Sequence, residues 1–146
     1  MLKLLFISLF PFLSLLSNWE TNFDVAKEKA VKENKIMLIH FYKNDKKAST
    51  KNFQVALFDN DTFVNYAKKH LILLQMGLSS KPNHLTEQQF LYNSIILERY
   101  NTKGIYPYTV ILESSGKQLA AWEHSSQLTS SKLVANIQAC IEANKQ

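Results

Sequence analysis

The 146-residue sequence has a single cysteine, Cys140, three glycines, three prolines and one arginine, Arg99. One cysteine excludes an intrachain disulfide and a cysteine cage around a metal. So few glycines and prolines, beside 46% hydrophobic and 20% charged residues, exclude collagen-like, low-complexity and disordered chains. The net charge is +5, from 17 basic and 12 acidic residues. Every basic residue but Arg99 is a lysine. Proteins that read bases or clamp phosphates favour the forked guanidinium. A lysine balance of this kind describes a solvated surface with diffuse positive charge, and nucleic-acid binding is not expected. A chain of this length is one domain by size and buries roughly 70% of its unfolded surface, enough for a core.

Long apolar runs are also scarce. The exception is Leu4 to Leu16, apolar apart from Ser8, Pro11 and Ser14, after the short positive start Met1-Leu2-Lys3. As a helix it reaches only ~20 Å against the ~30 Å hydrocarbon core of a bilayer. It reads as a secretory signal over residues 1–17, with residues 18–146 as the exported domain, periplasmic or extracellular. An uncleaved signal is the one route to a membrane. In an oxidising compartment Cys140 has no partner within the chain. It shares a helical face with Leu133 and Ile137, so it is expected in the core, with an intermolecular disulfide or reactive thiol as the alternative.

Along the rest of the chain, periods of 3.6 and short apolar runs alternate. Phe23, Ala26, Ala30 and Val31 mark an amphipathic helix capped at Asn22, broken at Asn34-Lys35. Ile36 to Tyr42 runs apolar, as a strand covered on both faces does. After the polar Lys43-Asn44-Asp45-Lys46-Lys47, a second helix carries Phe53, Leu57 and Phe58, and a third carries Phe63, Val64 and Ala67. Leu71 to Met76 is a strand ended by Gly77, and residues 78–86 form the longest polar loop. A helix follows from Glu87 to Tyr100, a hairpin pairs Tyr108–Leu112 with Gln118–Trp122 around Ser114-Ser115-Gly116-Lys117, and Thr129 to Asn144 closes the chain as a helix. The order α-β-α-α-β-α-β-β-α needs a helix-covered, mixed sheet with the hairpin as its antiparallel edge.

Several stretches carry a resemblance. Phe23 to Lys35, a strand and then Phe41-Tyr42-Lys43-Asn44-Asp45 resemble thioredoxin-like domains of the bacterial envelope. So do Phe58-Asp59-Asn60-Asp61-Thr62-Phe63, Tyr66-Ala67-Lys68-Lys69, and the run Tyr100-Asn101-Thr102-Lys103-Gly104-Ile105-Tyr106-Pro107 with its later hairpin. The resemblance spans nearly all of residues 19–143 and implies an α/β thioredoxin fold. Such domains carry Cys-x-x-Cys at the start of the helix after the first central strand. There the helix dipole and free N–H groups lower the first thiol's pKa, and the second thiol closes the disulfide. Counted from Phe41 to Phe58, the four residues here are Lys47-Ala48-Ser49-Thr50. No cysteine lies near residues 43–55, so no shift of register restores the pair, and this chain alone cannot exchange a dithiol.

What remains reads as a binding site. Pro107 matches the family's cis-proline, whose neighbouring backbone is free to pair with an extended peptide. Two residues rather than one separate it from Gly104, and Tyr108 stands where threonine is usual. The resemblance with the thiols absent implies a polypeptide partner held near Lys47, Ser49, Thr50, Tyr106 and Pro107. Ser49 and Thr50 have no adjacent base to make them nucleophiles and read otherwise as helix caps. Lys43, Lys46, Lys47 and Lys51 form either an electropositive patch for an acidic peptide or a solvated loop. His40 occupies the strand where the family keeps a buried acid; with no thiols to serve, it is expected to be neutral and hydrogen-bonded. His70, His84 and His124 lack metal-ligand spacing, and neither metal nor cofactor is expected. Two rival functions stay open: a thiol oxidoreductase using Cys140 with an external thiol, and a structural subunit. Oligomeric state is not legible.

Overall fold

The computed structural model describes residues 19–43, 56–78, 86–125 and 127–145. Helix α1 spans Phe23–Glu33. The Asn22 side chain accepts the Val25 N–H at 3.1 Å, satisfying one of the free donors of the first turn, and Asp24 sits favourably at the positive end. Asn34 ends the helix in the left-handed region at φ 52°, its N–H turned back to the carbonyls of Ala30 and Val31. Phe23, Ala26 and Ala30 are buried, whereas Val31 is 63% exposed.

Strand β1 spans Ile36–Lys43. Leu57 and Phe58 lie buried in a helical turn over residues 56–58, and Phe53 lies outside the described residues. Helix α2, Asp61–His70, starts at Asn60, whose side chain accepts the Thr62 N–H, and Lys68 and Lys69 in its last turn face the negative end. It runs directly into β2, Leu71–Leu78. Helix α3 spans Glu87–Tyr100 with Thr86 as its cap, β3 spans Tyr108–Leu112, β4 spans Gln118–Glu123, and α4 spans Ser130–Ala143 behind a Thr129 cap.

The four strands lie in the order β2-β1-β3-β4, with β1 parallel to β2 and antiparallel to β3, and β3 antiparallel to β4. Beyond β2, Glu20 bridges to Leu74 through two backbone hydrogen bonds, which occupies part of that edge. Alternation along β1 sorts the core into two layers. Met37, Ile39 and Phe41 join Phe23, Ala26, Ala30, Ile96, Leu97 and Tyr100 beneath α1 and α3. Leu38 faces the other way, against Leu57, Phe58, Phe63 and Ala67 and the α4 residues Leu133 and Ile137.

Gly77 does not end β2. The strand continues to Leu78, and Gly77 pairs with Tyr42. The glycine is there for proximity: a Cβ would come within 2.7 Å of Cζ in the Tyr42 ring, which lies over it. The hairpin's second strand runs one residue further than its apolar pattern, to Glu123. On α3 the buried residues are Asn93, Ile96, Leu97 and Tyr100, while Phe90, Leu91 and Ile95 face solvent. Among the described residues, no helix is long and apolar enough to cross a membrane.

Candidate functional site

The C-terminal end of β1 and the approach to β3 meet at one end of the sheet, because Phe41 pairs with Tyr108. The loop into β3 is shaped by Asn101, the residue that ends α3. Its buried side chain donates to the Ile105 carbonyl at 2.8 Å and accepts the Ile105 N–H at 3.1 Å, while Gly104 turns at φ 61°. Both polar ends of the amide are thereby used. The Tyr106–Pro107 peptide is cis. The Pro107 carbonyl accepts the His124 N–H at 3.4 Å, which extends the β3–β4 ladder by one pair. Tyr106 is half-buried, and the Lys43 ammonium sits 5.1 Å from the centre of its ring. Lys47, Ser49 and Thr50 lie outside the described residues, so Tyr106 and Pro107 are the site residues whose surroundings are on view.

Behind this rim, on the α2–α4 face, three polar side chains are linked. His40 Nδ1 lies 3.4 Å from Thr109 Oγ1, and Thr109 Oγ1 lies 2.5 Å from His124 Nε2. Thr109 is fully buried and His40 is 1% exposed. Rings close around His40: Phe58 at 4.8 Å, His124 at 5.2 Å, Tyr42 at 6.0 Å and Trp19 at 6.3 Å between centroids. Burial, assisted by the neighbouring His124, lowers the His40 pKa from 6.5 to about 3, and burial lowers that of His124 to about 4. Both imidazoles are therefore neutral near pH 7. His40 is neutral and hydrogen-bonded; its contact with His124 has no counterpart in the sequence spacing.

The hairpin register explains it. Thr109 pairs with Trp122, so His124, two residues on, emerges on the same face as a diagonal neighbour of Thr109. Asn101 was equally silent in the sequence, since a lone asparagine after a helix reads as a stop and nothing more. Among the described residues no group of three or more His, Cys, Asp or Glu side chains is placed to hold a metal ion.

The thiol is elsewhere. Ser130, at the start of α4, donates to the Leu57 carbonyl at 2.7 Å, which fixes that helix end near the 56–58 turn. Cys140 lies roughly 15 Å further along α4, at about 1.5 Å per residue. It is half-buried rather than buried, packed against the second core layer. Its position in the last turns leaves one flank of the side chain to solvent, where the spacing from Leu133 and Ile137 predicts core.

A mixed four-stranded sheet between two helical layers, with a cis-proline ahead of the antiparallel hairpin, is the thioredoxin fold. Solved structures bear this out. A DsbH oxidoreductase is similar at a TM-score of 0.74, with 22% identity over 86% of this chain and 84% of that one. A thioredoxin from Thermus thermophilus is similar at 0.63, with 9% identity over 88% and 92% of the two chains. A putative disulphide-isomerase from Bacteroides thetaiotaomicron reaches 0.59, with 17% identity over 86% and 92%. At these identities the likeness is one of fold. No protein-family model matches the sequence, and no curated protein matches it significantly. With one cysteine in the chain there is no Cys-x-x-Cys pair.

Proposed function

We propose that this chain is an exported, redox-inactive thioredoxin-fold protein that works by holding an extended segment of another polypeptide at the Tyr106–Pro107 rim. The observation that carries the reading is that the single cysteine, Cys140, sits on α4 at the far end from Ser130, while the resemblance puts Lys47 and Thr50 at the positions of the family's cysteine pair. A disulfide relay needs two thiols within one turn at the rim. Binding needs only backbone that can pair with an extended segment and a side chain that anchors it, roles this reading gives to the backbone beside Pro107 and to the half-buried Tyr106 ring. Lys43, with Lys47 in the adjoining sequence, favours segments that carry acidic residues. The apolar run Leu4 to Leu16 after Lys3 supports export to the periplasm or the exterior.

The test is capture of reduced, carboxymethylated insulin, an unfolded polypeptide with blocked thiols, followed by fluorescence anisotropy. Lys47→Glu and Tyr106→Ala are each expected to weaken capture at least threefold at unchanged folded fraction. Equal capture by both variants would remove the rim from the account.

A further inference from the structure

Beside the rim, between the last turns of α3 and the loop to β3, lies a groove of about 360 Å³. That is the lower end of the ~300–1,000 Å³ of ligand sites, room for a side chain rather than for a folded element. Tyr106 and Leu97 supply its apolar lining, and Ser94, Glu98, Asn101 and Thr102 its polar lining. Gly104, turning at φ 61°, also borders it and leaves open space where a Cβ would project.

The hydrogen-bond donors along the groove are committed. The Ser94 hydroxyl donates to the Phe90 carbonyl at 2.8 Å, the Asn101 amide to the Ile105 carbonyl at 2.8 Å, and the Gly104 N–H to the Asn101 carbonyl at 2.9 Å. Acceptors are left over: the Glu98 carboxylate and the lone pairs of the Ser94 hydroxyl. Glu98 is exposed, and among the described residues the ion pairs are Lys29–Glu20 and Lys35–Glu33, so its charge is unmatched. Its neighbour Arg99 lies over the Tyr100 ring instead, 5.6 Å from the ring centre. Helix α3 ends here, and the negative end of its dipole adds to the Glu98 charge. An apolar wall, spare acceptors and an unmatched carboxylate complement a long cationic side chain, its stem along Leu97 and Tyr106 and its head at Glu98. Arginine suits this better than lysine, because the planar guanidinium forks onto a carboxylate and stacks on an aromatic ring.

We infer that this groove takes the side chain of a basic residue, arginine above lysine, from the polypeptide held at the rim. The inference rests on the proposed reading of that rim as the polypeptide site, and it specifies the segment bound there. Tyr106 lies between two fixed charges: the Lys43 ammonium sits 5.1 Å from the centre of its ring, and Glu98 shares the groove that the ring lines. The favoured segment therefore carries an acidic residue for Lys43 and a basic residue for Glu98. The arrangement of charges, rather than net charge, is what is recognised.

Two measurements on the full chain test this. In the first, acetyl-arginine amide is titrated into the protein and followed by proton–nitrogen spectra. The amides of Glu98, Thr102 and Gly104 are expected to shift, with no such response to acetyl-citrulline amide, which has the same shape and no charge. Glu98→Gln, at an exposed position, is expected to weaken the response by about threefold or more at unchanged folded fraction. Shifts scattered over other acidic residues, or unchanged in Glu98→Gln, would overturn the groove.

The second compares capture of reduced, carboxymethylated insulin with capture of the same polypeptide after its arginine is converted to citrulline and its lysine is acetylated. Diffuse attraction to a chain of net charge +5 favours the neutralised form, which is the more acidic. The groove predicts the opposite sign: the wild type captures the neutralised form at least threefold more weakly, and Glu98→Gln captures both forms alike. Equal or tighter capture of the neutralised form by the wild type refutes the groove and leaves the rim standing. No capture of either form by folded protein refutes the rim, and the acetyl-arginine amide titration alone then decides the groove.

Discussion

Thr109 is where the structure makes its sharpest energetic demand. The side chain is fully buried, and its hydroxyl is the link between two imidazoles. Thr109→Val keeps the shape and removes the hydroxyl. His40 Nδ1 then faces a methyl group in a fully enclosed site, at a cost of about 1–3 kcal/mol for an unsatisfied buried group. The lost bond to His124 adds about 0.5–1.5 kcal/mol. The expected total is about 2–4 kcal/mol, or a melting temperature lower by roughly 10 °C in a domain of this size. Thr109→Ser does the reverse, keeping the hydroxyl and deleting one buried methyl, for about 1 kcal/mol. Urea unfolding at pH 7, with the m-value checked for constancy, measures both. A valine variant as stable as the serine variant, or more so, would refute the claim that the hydroxyl chain holds this face together.

Two further predictions follow from the same geometry. His40 has a folded pKa lowered to about 3 against 6.5 when unfolded, so its contribution is fully present above pH 6.5 and is lost as the pH falls toward 3. That amounts to about 1.4 kcal/mol per pH unit, or about 3 kcal/mol between pH 7 and pH 4. Urea midpoints taken across that range check it, and His40→Phe should remove this share of the slope. Gly77→Ala drives a Cβ into the Tyr42 ring at 2.7–2.9 Å, for an expected loss of about 1–3 kcal/mol. Tyr42→Leu in the same chain should recover most of that loss, as a double-mutant cycle would show.

Much of the fold was legible because the signals are local. Asn22 precedes its helix as a cap, Ile36 to Tyr42 is apolar enough to lie at the centre of a covered sheet, and Ser114 to Lys117 marks the hairpin. Misreadings arose where tertiary contact overrides a local sign. Gly77 looks like a strand terminator, yet its missing side chain makes room for Tyr42. Cys140 keeps helical spacing with Leu133 and Ile137, but it lies toward the C-terminal end of α4, where burial is only partial.

The site divides along the same line. Pro107 and its neighbours could be placed because a motif of contiguous residues carries them. The His40–Thr109–His124 chain could not, because it depends on the β1–β3 and β3–β4 registers together. Neither register is written in any single stretch of sequence. Asn101 acts over four residues, but only the loop's closed shape shows that both ends of its amide meet Ile105.

The central claim, binding without dithiol exchange, is tested most directly by insulin precipitation under dithiothreitol, followed by light scattering with the protein in stoichiometric amount. Slower or smaller scattering than with dithiothreitol alone is predicted, and Cys140→Ser should behave as the wild type does. Faster onset, abolished in Cys140→Ser, would show thiol catalysis through α4 and contradict the account.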